Sequence, residues 1–184
     1  TLATVSQPNV TTLAGLTSIG TDGDSLAILG DIIDWYNTTT ARPLFRIVNQ
    51  TDDATGPKIT LQNQRFDSSI QAGEDDDVLG TITFTGYDDQ GTPGTQTYAK
   101  IYSDIHDATS GEESGRLYLQ VANHDGGLGN GLMLTGGSED NEIDVTVGLG
   151  TNSVTTVAGA VKCQSLRPAG QIQMTTHNYK ADQD

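Results

Sequence analysis

Carboxylates are the most abundant ionisable side chains in this sequence, and many of them lie in short runs. A glycosidase needs two carboxylates about 5–10 Å apart, one of them with a pKa raised by an apolar pocket. The runs lie in turn clusters without apolar neighbours, so solvated loops are the favoured interpretation. The acids concerned are Asp75, Asp76, Asp77, Asp88, Asp89, Glu112 and Glu113. We therefore predict no catalytic residue and no enzymatic activity.

The sequence signals for a metal site are equally weak. The three histidines, His106, His124 and His177, lack the spacing of a metal motif, so loop hydrogen bonding is favoured over a three-histidine site on a threefold axis. Acidic runs offer the hard oxygens that Ca²⁺ binds, but none matches a twelve-residue EF-hand loop. Asp22 and Asp24 remain weak candidates for Ca²⁺, and no cofactor is predicted.

Other motifs have ordinary explanations. The glycine-rich run 126–131 precedes a strand pattern, whereas a dinucleotide fingerprint must open a helix. Cys163, the single cysteine, is predicted to be a part-buried thiol. Trp35 and Tyr36 could dock a partner or stack on a sugar, but core packing at a module junction is the favoured prediction.

Composition limits the classes of function. Apolar residues make up 34% of the 184 residues, so one chain alone buries little surface. The net charge of −15 repels phosphate backbones and anionic membrane surfaces, so nucleic acids are poor partners. No apolar stretch approaches the roughly 18–20 residues of a spanning helix, so no membrane insertion is expected.

The backbone pattern is that of an all-β protein. Threonine and glycine are abundant and turn signals recur, while apolar residues alternate with polar ones from about Leu44 onward. We predict strands within 44–49, 58–63, 78–87, 98–105, 116–121, 132–134 and 143–147. The segment 24–36 could be a short helix or short strands with a connector, and glycines at 73, 80, 86 and 115 fit close chain approach, bulges or simple turns.

An internal repeat sets the expected organisation. The sequence Val10-Thr-Thr-Leu-Ala-Gly15 returns as Val154-Thr-Thr-Val-Ala-Gly159. We predict that residues 1–40 end a preceding module, that 41–162 form a β-rich module, and that 163–184 are a linker and the start of a following, truncated domain.

The order of motifs resembles the stem module of tailed-bacteriophage fibres. The motifs are Val78-Leu-Gly-Thr-Ile-Thr-Phe-Thr-Gly-Tyr-Asp, Tyr98-Ala-Lys-Ile-Tyr-Ser-Asp-Ile, Ser114-Gly-Arg-Leu-Tyr-Leu and Val147-Gly-Leu-Gly-Thr with Val157-Ala-Gly. The resemblance covers roughly residues 58–162. It implies a parallel homotrimer, an elongated β-rich shaft attached to the tail of a virion and placed upstream of a receptor-binding tip.

We therefore expect a homotrimeric phage fibre or spike segment, built of β-sandwich or β-helix-like modules. Its partners would be other tail or baseplate proteins and, through a tip that can lie outside this chain, a host glycan or protein receptor. The alternative is a module that binds or degrades polysaccharide, as in a phage tailspike. The predicted trimer core consists of Ile82, Phe84, Ile101, Ile105, Leu117, Leu119, Ile143 and Val145.

Overall fold

The computed structural model describes residues 32–148 and 150–165, and the chain divides into two units, Thr1–Lys58 and Ile59–Asp184. The described residues form seven β-strands and no helix, so the prediction of an all-β protein is confirmed. Among these residues, therefore, no helix is long and apolar enough to cross a membrane.

One antiparallel sheet dominates the second unit. A small hairpin precedes it, made of β1 (Phe66–Asp67) and β2 (Ser69–Ile70). The main sheet has five strands whose spatial order is their chain order: β3 (Val78–Tyr87), β4 (Thr95–Asp107), β5 (Ser114–Ala122), β6 (Leu128–Gly136) and β7 (Ile143–Val147). Each strand thus pairs with its neighbour in sequence, and β3 and β7 are the two edges.

Polar side chains build the turns between these strands. Asp88 accepts a hydrogen bond from the Gly94 amide, at 2.8 Å, and closes the β3–β4 loop. Glu142 accepts from the amides of Ser138 and Glu139 in the β6–β7 loop. Such bonds satisfy backbone donors that lie outside the ladder, which is why acids and amides recur at these positions.

Gly80 permits one close approach to the sheet. A Cβ at this position would lie 2.5 Å from the Cβ of Leu61, so only glycine lets the Leu61 side chain rest on β3. The register between β3 and β4 shifts between Val78 and Gly80, which marks a bulge at the same point. The close approach foreseen for this glycine is therefore present.

The described residues of the single chain do not form the expected β-sandwich or β-helix. Their five-stranded sheet is one open layer with its strands in chain order, and the other pairing among them is the two-stranded β1–β2 hairpin. The strands predicted at 44–49 and 58–63 are also wrong. Alternation alone does not make a strand, because a strand needs a hydrogen-bonding partner, and the described chain supplies none there.

Two further expectations fall at the ends of the described chain. Residues 32–36 are neither helix nor strand, and the rest of the segment 24–36 lies outside the described residues. Cys163 is exposed, so the prediction of a part-buried thiol is wrong. No strand covers the stretch where it lies.

Candidate interaction surface

The register of the main sheet separates its side chains into two unlike faces. Residues directly opposite one another on paired strands lie on the same face, and successive residues alternate between faces. One row across the sheet joins Ile82, Ile101, Leu119, Leu132 and Val147. The aliphatic face comprises this row with Phe84, Leu117, Leu134, Ile143 and Val145. The opposite, polar face comprises Lys100, Tyr102, Asp104, Arg116, Tyr118 and Gln120.

All eight residues of the predicted trimer core lie on the aliphatic side. Ile105, opposite Gly115, follows Ile101 by alternation along β4. Ile101 and Ile105 are half-buried, while the other six retain 36–63% of their surface exposed: Ile82, Phe84, Leu117, Leu119, Ile143 and Val145. The structure shows that these eight residues share one side of the sheet. That they form the core of a trimer stays a prediction.

Three members of the aliphatic face were missing from the predicted core. Leu132, Leu134 and Val147 stand opposite Leu119, Leu117 and Leu132 respectively. The same period of two that singled out the other residues runs through β6 and β7, so the signal for these positions was already in the sequence. The aliphatic face is therefore broader than the predicted core.

The side chains of the polar face shield one another from solvent. The rings of Tyr102 and Tyr118 stack across β4 and β5 with centroids 4.4 Å apart and planes 5° apart. The Lys100 ammonium lies 3.9 Å from the centre of the Tyr102 ring, so both faces of that ring are occupied. Tyr118 is the one buried hydrophobic side chain in the described residues, at 7% exposure. Desolvation raises the pKa of both tyrosines.

An ion pair completes this face. Asp104, 6% exposed, accepts a hydrogen bond of 2.8 Å from Nε of Arg116, which stands opposite it on β5. Arg116 also binds the Asp76 carboxylate, and the hydrogen bonds to Asp104 and then Asp76 raise the arginine pKa. Sequence reasoning missed this network, although the alternation places Asp104 on the face opposite the aliphatic residues.

The acidic run 74–77 has a partner for each of its carboxylates. Asp77 receives two hydrogen bonds from the Arg65 guanidinium, at 2.6 and 2.7 Å, which lower its pKa. The same guanidinium pairs with Glu74 at 2.8 Å. Asp75 accepts from the Ala108 amide, at 2.8 Å. The run forms a turn, as predicted. Its carboxylates are not simply solvated, however, because their hydrogen bonds and ion pairs hold the turn against the sheet.

The remaining acids and two histidines lie in loops or at strand ends. Asp88 has a pKa lowered by the amide of Gly94, which is the opposite of what a general acid needs. Glu112 and Glu113 line an open acidic cleft of about 570 Å³, beside His106, whose Nδ1 lies 3.1 Å from the Ser114 hydroxyl. The other predicted positions in loops are Asp89 and His124.

The described residues of one chain show no cluster of metal ligands. Over residues 32–148 and 150–165, no group of three or more His, Cys, Asp or Glu side chains is arranged to hold a metal ion. The Ca²⁺ candidates Asp22 and Asp24, and also His177, lie outside the described residues.

The aromatic pair of the first unit is exposed. Trp35 retains 55% of its surface and contacts Phe45, with ring centroids 5.1 Å apart, while Tyr36 is almost fully exposed. The prediction that both pack in a core is wrong for the described residues. Within them, this pair has one aromatic contact rather than a surrounding core.

Comparison with protein families, curated proteins and solved structures finds no match to this chain. The candidate surface is identified by its geometry: it is an aliphatic sheet face, seven of whose ten residues stay 36–63% exposed in the described chain.

Proposed function

We propose that this chain is a structural segment of a bacteriophage tail fibre or spike, in which three identical copies assemble through their aliphatic faces. The assembly holds a receptor-binding element away from the virion and so supports attachment to the host. Other tail or baseplate proteins would be its neighbours on the particle, and a host glycan or protein would be bound through a tip.

The observation that carries this proposal is the exposure of the aliphatic face. Burying a fully exposed aliphatic side chain contributes about 1.5–3 kcal/mol, so covering a half-exposed one contributes about 1 kcal/mol. Seven residues of the face are about half exposed, and covering them would together contribute roughly 7 kcal/mol per copy, comparable with the roughly 4–15 kcal/mol that association costs. Assembly is thus favourable only if most of the face is covered.

Identical copies are suitable partners for this face. Each brings an aliphatic surface of the same composition, and each turns its acidic loops and polar face toward solvent, so a net charge of −15 per copy need not be buried. The number three comes from the resemblance to fibre stems, and the aliphatic face supplies the physical reason for association.

Sedimentation equilibrium across a dilution series tests the oligomeric state. We expect a mass of about 58 kDa, three times the 19.4 kDa of one chain. A stable monomer or dimer over the whole series would contradict the proposal. Gold-labelled antibody on the parent particle then tests the location, and we expect label on the tail. Label confined to the head would contradict a tail fibre.

A further inference from the structure

The β3 edge of the main sheet has no strand partner among the described residues, although Leu61 and Asn63 lie against its first residues. β3 has ten residues with no charge and no proline, and it pairs with β4 on one side only. On its outer edge, one described partner is the Asn63 amide, which donates to the Val78 carbonyl at 3.0 Å. Natural sheet edges are shortened, charged, bulged or covered, because a bare edge pairs with any available strand. β3 has register shifts at Val78/Gly80 and at Phe84/Thr85, and the regular stretch between them, Thr81–Phe84, is available to a further strand.

A second stretch of unpaired backbone follows the other edge of the sheet. After β7, residues 154–161 carry no charge and no regular secondary structure, and they form no hydrogen bond with any other described residue. Their valines, Val154, Val157 and Val161, are 87%, 56% and 69% exposed. Val157 and Val161 would share one side of an extended strand, where they could continue the aliphatic face.

Charge favours a pairing between these two stretches. In a chain of net charge −15, most surfaces that meet would bring carboxylates together. The two interior runs 117–122 and 128–136 are also uncharged, and both lie in strands that are paired on both sides. The β3 edge and residues 154–161 are also uncharged but lack such pairing, and their lengths of ten and eight residues are similar. The shorter run 59–64 is uncharged and unpaired too, and it reaches only the start of β3, through Leu61 and Asn63.

We propose that residues 154–161 of one copy add as a sixth strand to the β3 edge of a neighbouring copy. The inference rests on the proposed homotrimer. In a closed ring of three, each copy donates one segment and accepts another, so no β3 edge is left open. β7 lies four strand spacings, about 19 Å, from β3, so the segment leaves the sheet at the edge opposite its own β3.

Cysteine pairs test this exchange in the full chain with Cys163→Ser. The first pair combines Thr83→Cys in β3 with Thr156→Cys in the donated segment. Further pairs replace Thr83 by Thr81 or Thr85, or Thr156 by Thr155, so that neighbouring registers of the two strands are also tested. A disulfide forms only when the two Cα atoms lie about 4.4–6.8 Å apart. We expect at least one pair to give a covalent trimer on a non-reducing gel. Each single variant, and Thr156→Cys with Thr109→Cys in the β4–β5 loop, should stay uncrosslinked.

Light scattering on the same samples separates the outcomes, with circular dichroism confirming the sheet. A trimer in which no pair crosslinks would overturn the strand exchange and leave the proposed function standing. A disulfide within one chain, or a link from Thr83→Cys to Thr146→Cys in β7, would also overturn the exchange. A monomer in every variant and in the parent chain would contradict the proposed function itself.

Discussion

The two faces of the main sheet have opposite relations to solvent. The polar face is stabilised by groups that the chain itself provides: stacked tyrosines, a lysine over a ring, and an arginine between two aspartates. The aliphatic face has the more hydrophobic side chains and the less complete cover. Hydrophobicity alone therefore does not say which face of a thin sheet is buried within a chain.

The difference follows from side-chain reach. Long side chains such as Arg116, Lys100 and tyrosine lie flat and shield one another on a single layer. Short branched aliphatic chains stand off the sheet and cannot cover their neighbours, so they need a second surface about 10 Å away. One layer can thus complete a polar face, while its aliphatic face requires another layer.

The strongest test of this comparison places the same charge on each face. Val145 and Thr146 are adjacent in β7 and point to opposite sides of the sheet. Val145→Asp should weaken assembly at least about 100-fold, because an unpaired carboxylate would be buried between copies. Thr146→Asp should leave the trimer intact. Sedimentation at matched concentrations measures both, and equal behaviour of the two variants would remove the distinction between the faces.

A second test addresses the centre of the polar face. Tyr118→Ala should lower the free energy of unfolding by about 3 kcal/mol, because it removes the buried ring and its stacking on Tyr102. Tyr87→Ala is the matched control, since Tyr87 is 71% exposed, and it should cost less than about 0.5 kcal/mol. Urea denaturation at one fixed protein concentration compares them. Equal losses would show that the polar face does not stabilise the sheet.

The smallest expected effect concerns pH. The pKa of Asp77 is lowered below its ordinary 3.8 by hydrogen bonds from Arg65, then from the Glu74 amide. The stabilisation is therefore full above pH 3.8 and is lost as the pH falls through the lower folded-state pKa. Asp77→Asn should reduce the urea midpoint at pH 6 and flatten its acid dependence. The control is Asp89→Asn, because the Asp89 carboxylate has no partner among the described residues, and this variant should follow the pH curve of the parent chain. If Asp77→Asn follows the parent curve as well, the ion pair with Arg65 contributes nothing to stability.

Much of the sheet could be predicted because its strands satisfy a local rule. Alternation in Val78–Tyr87 and Ile143–Val147 marks both the strand and its aliphatic side, and Asp and Gly mark the turns between strands. The same rule failed at 44–49 and 58–63. A strand exists only with a partner, and pairing is a property of the whole chain.

The candidate surface was likewise predictable only in part. Local alternation determined that this chain makes strands and which aliphatic residues share a side. Only the tertiary structure decided that the strands form a single open layer, that Asp104 is buried against Arg116, and that the run 74–77 reaches Arg65, Arg116 and Ala108. Those contacts join residues 9 to 40 positions apart, and a periodic local pattern carries no information about which distant groups meet.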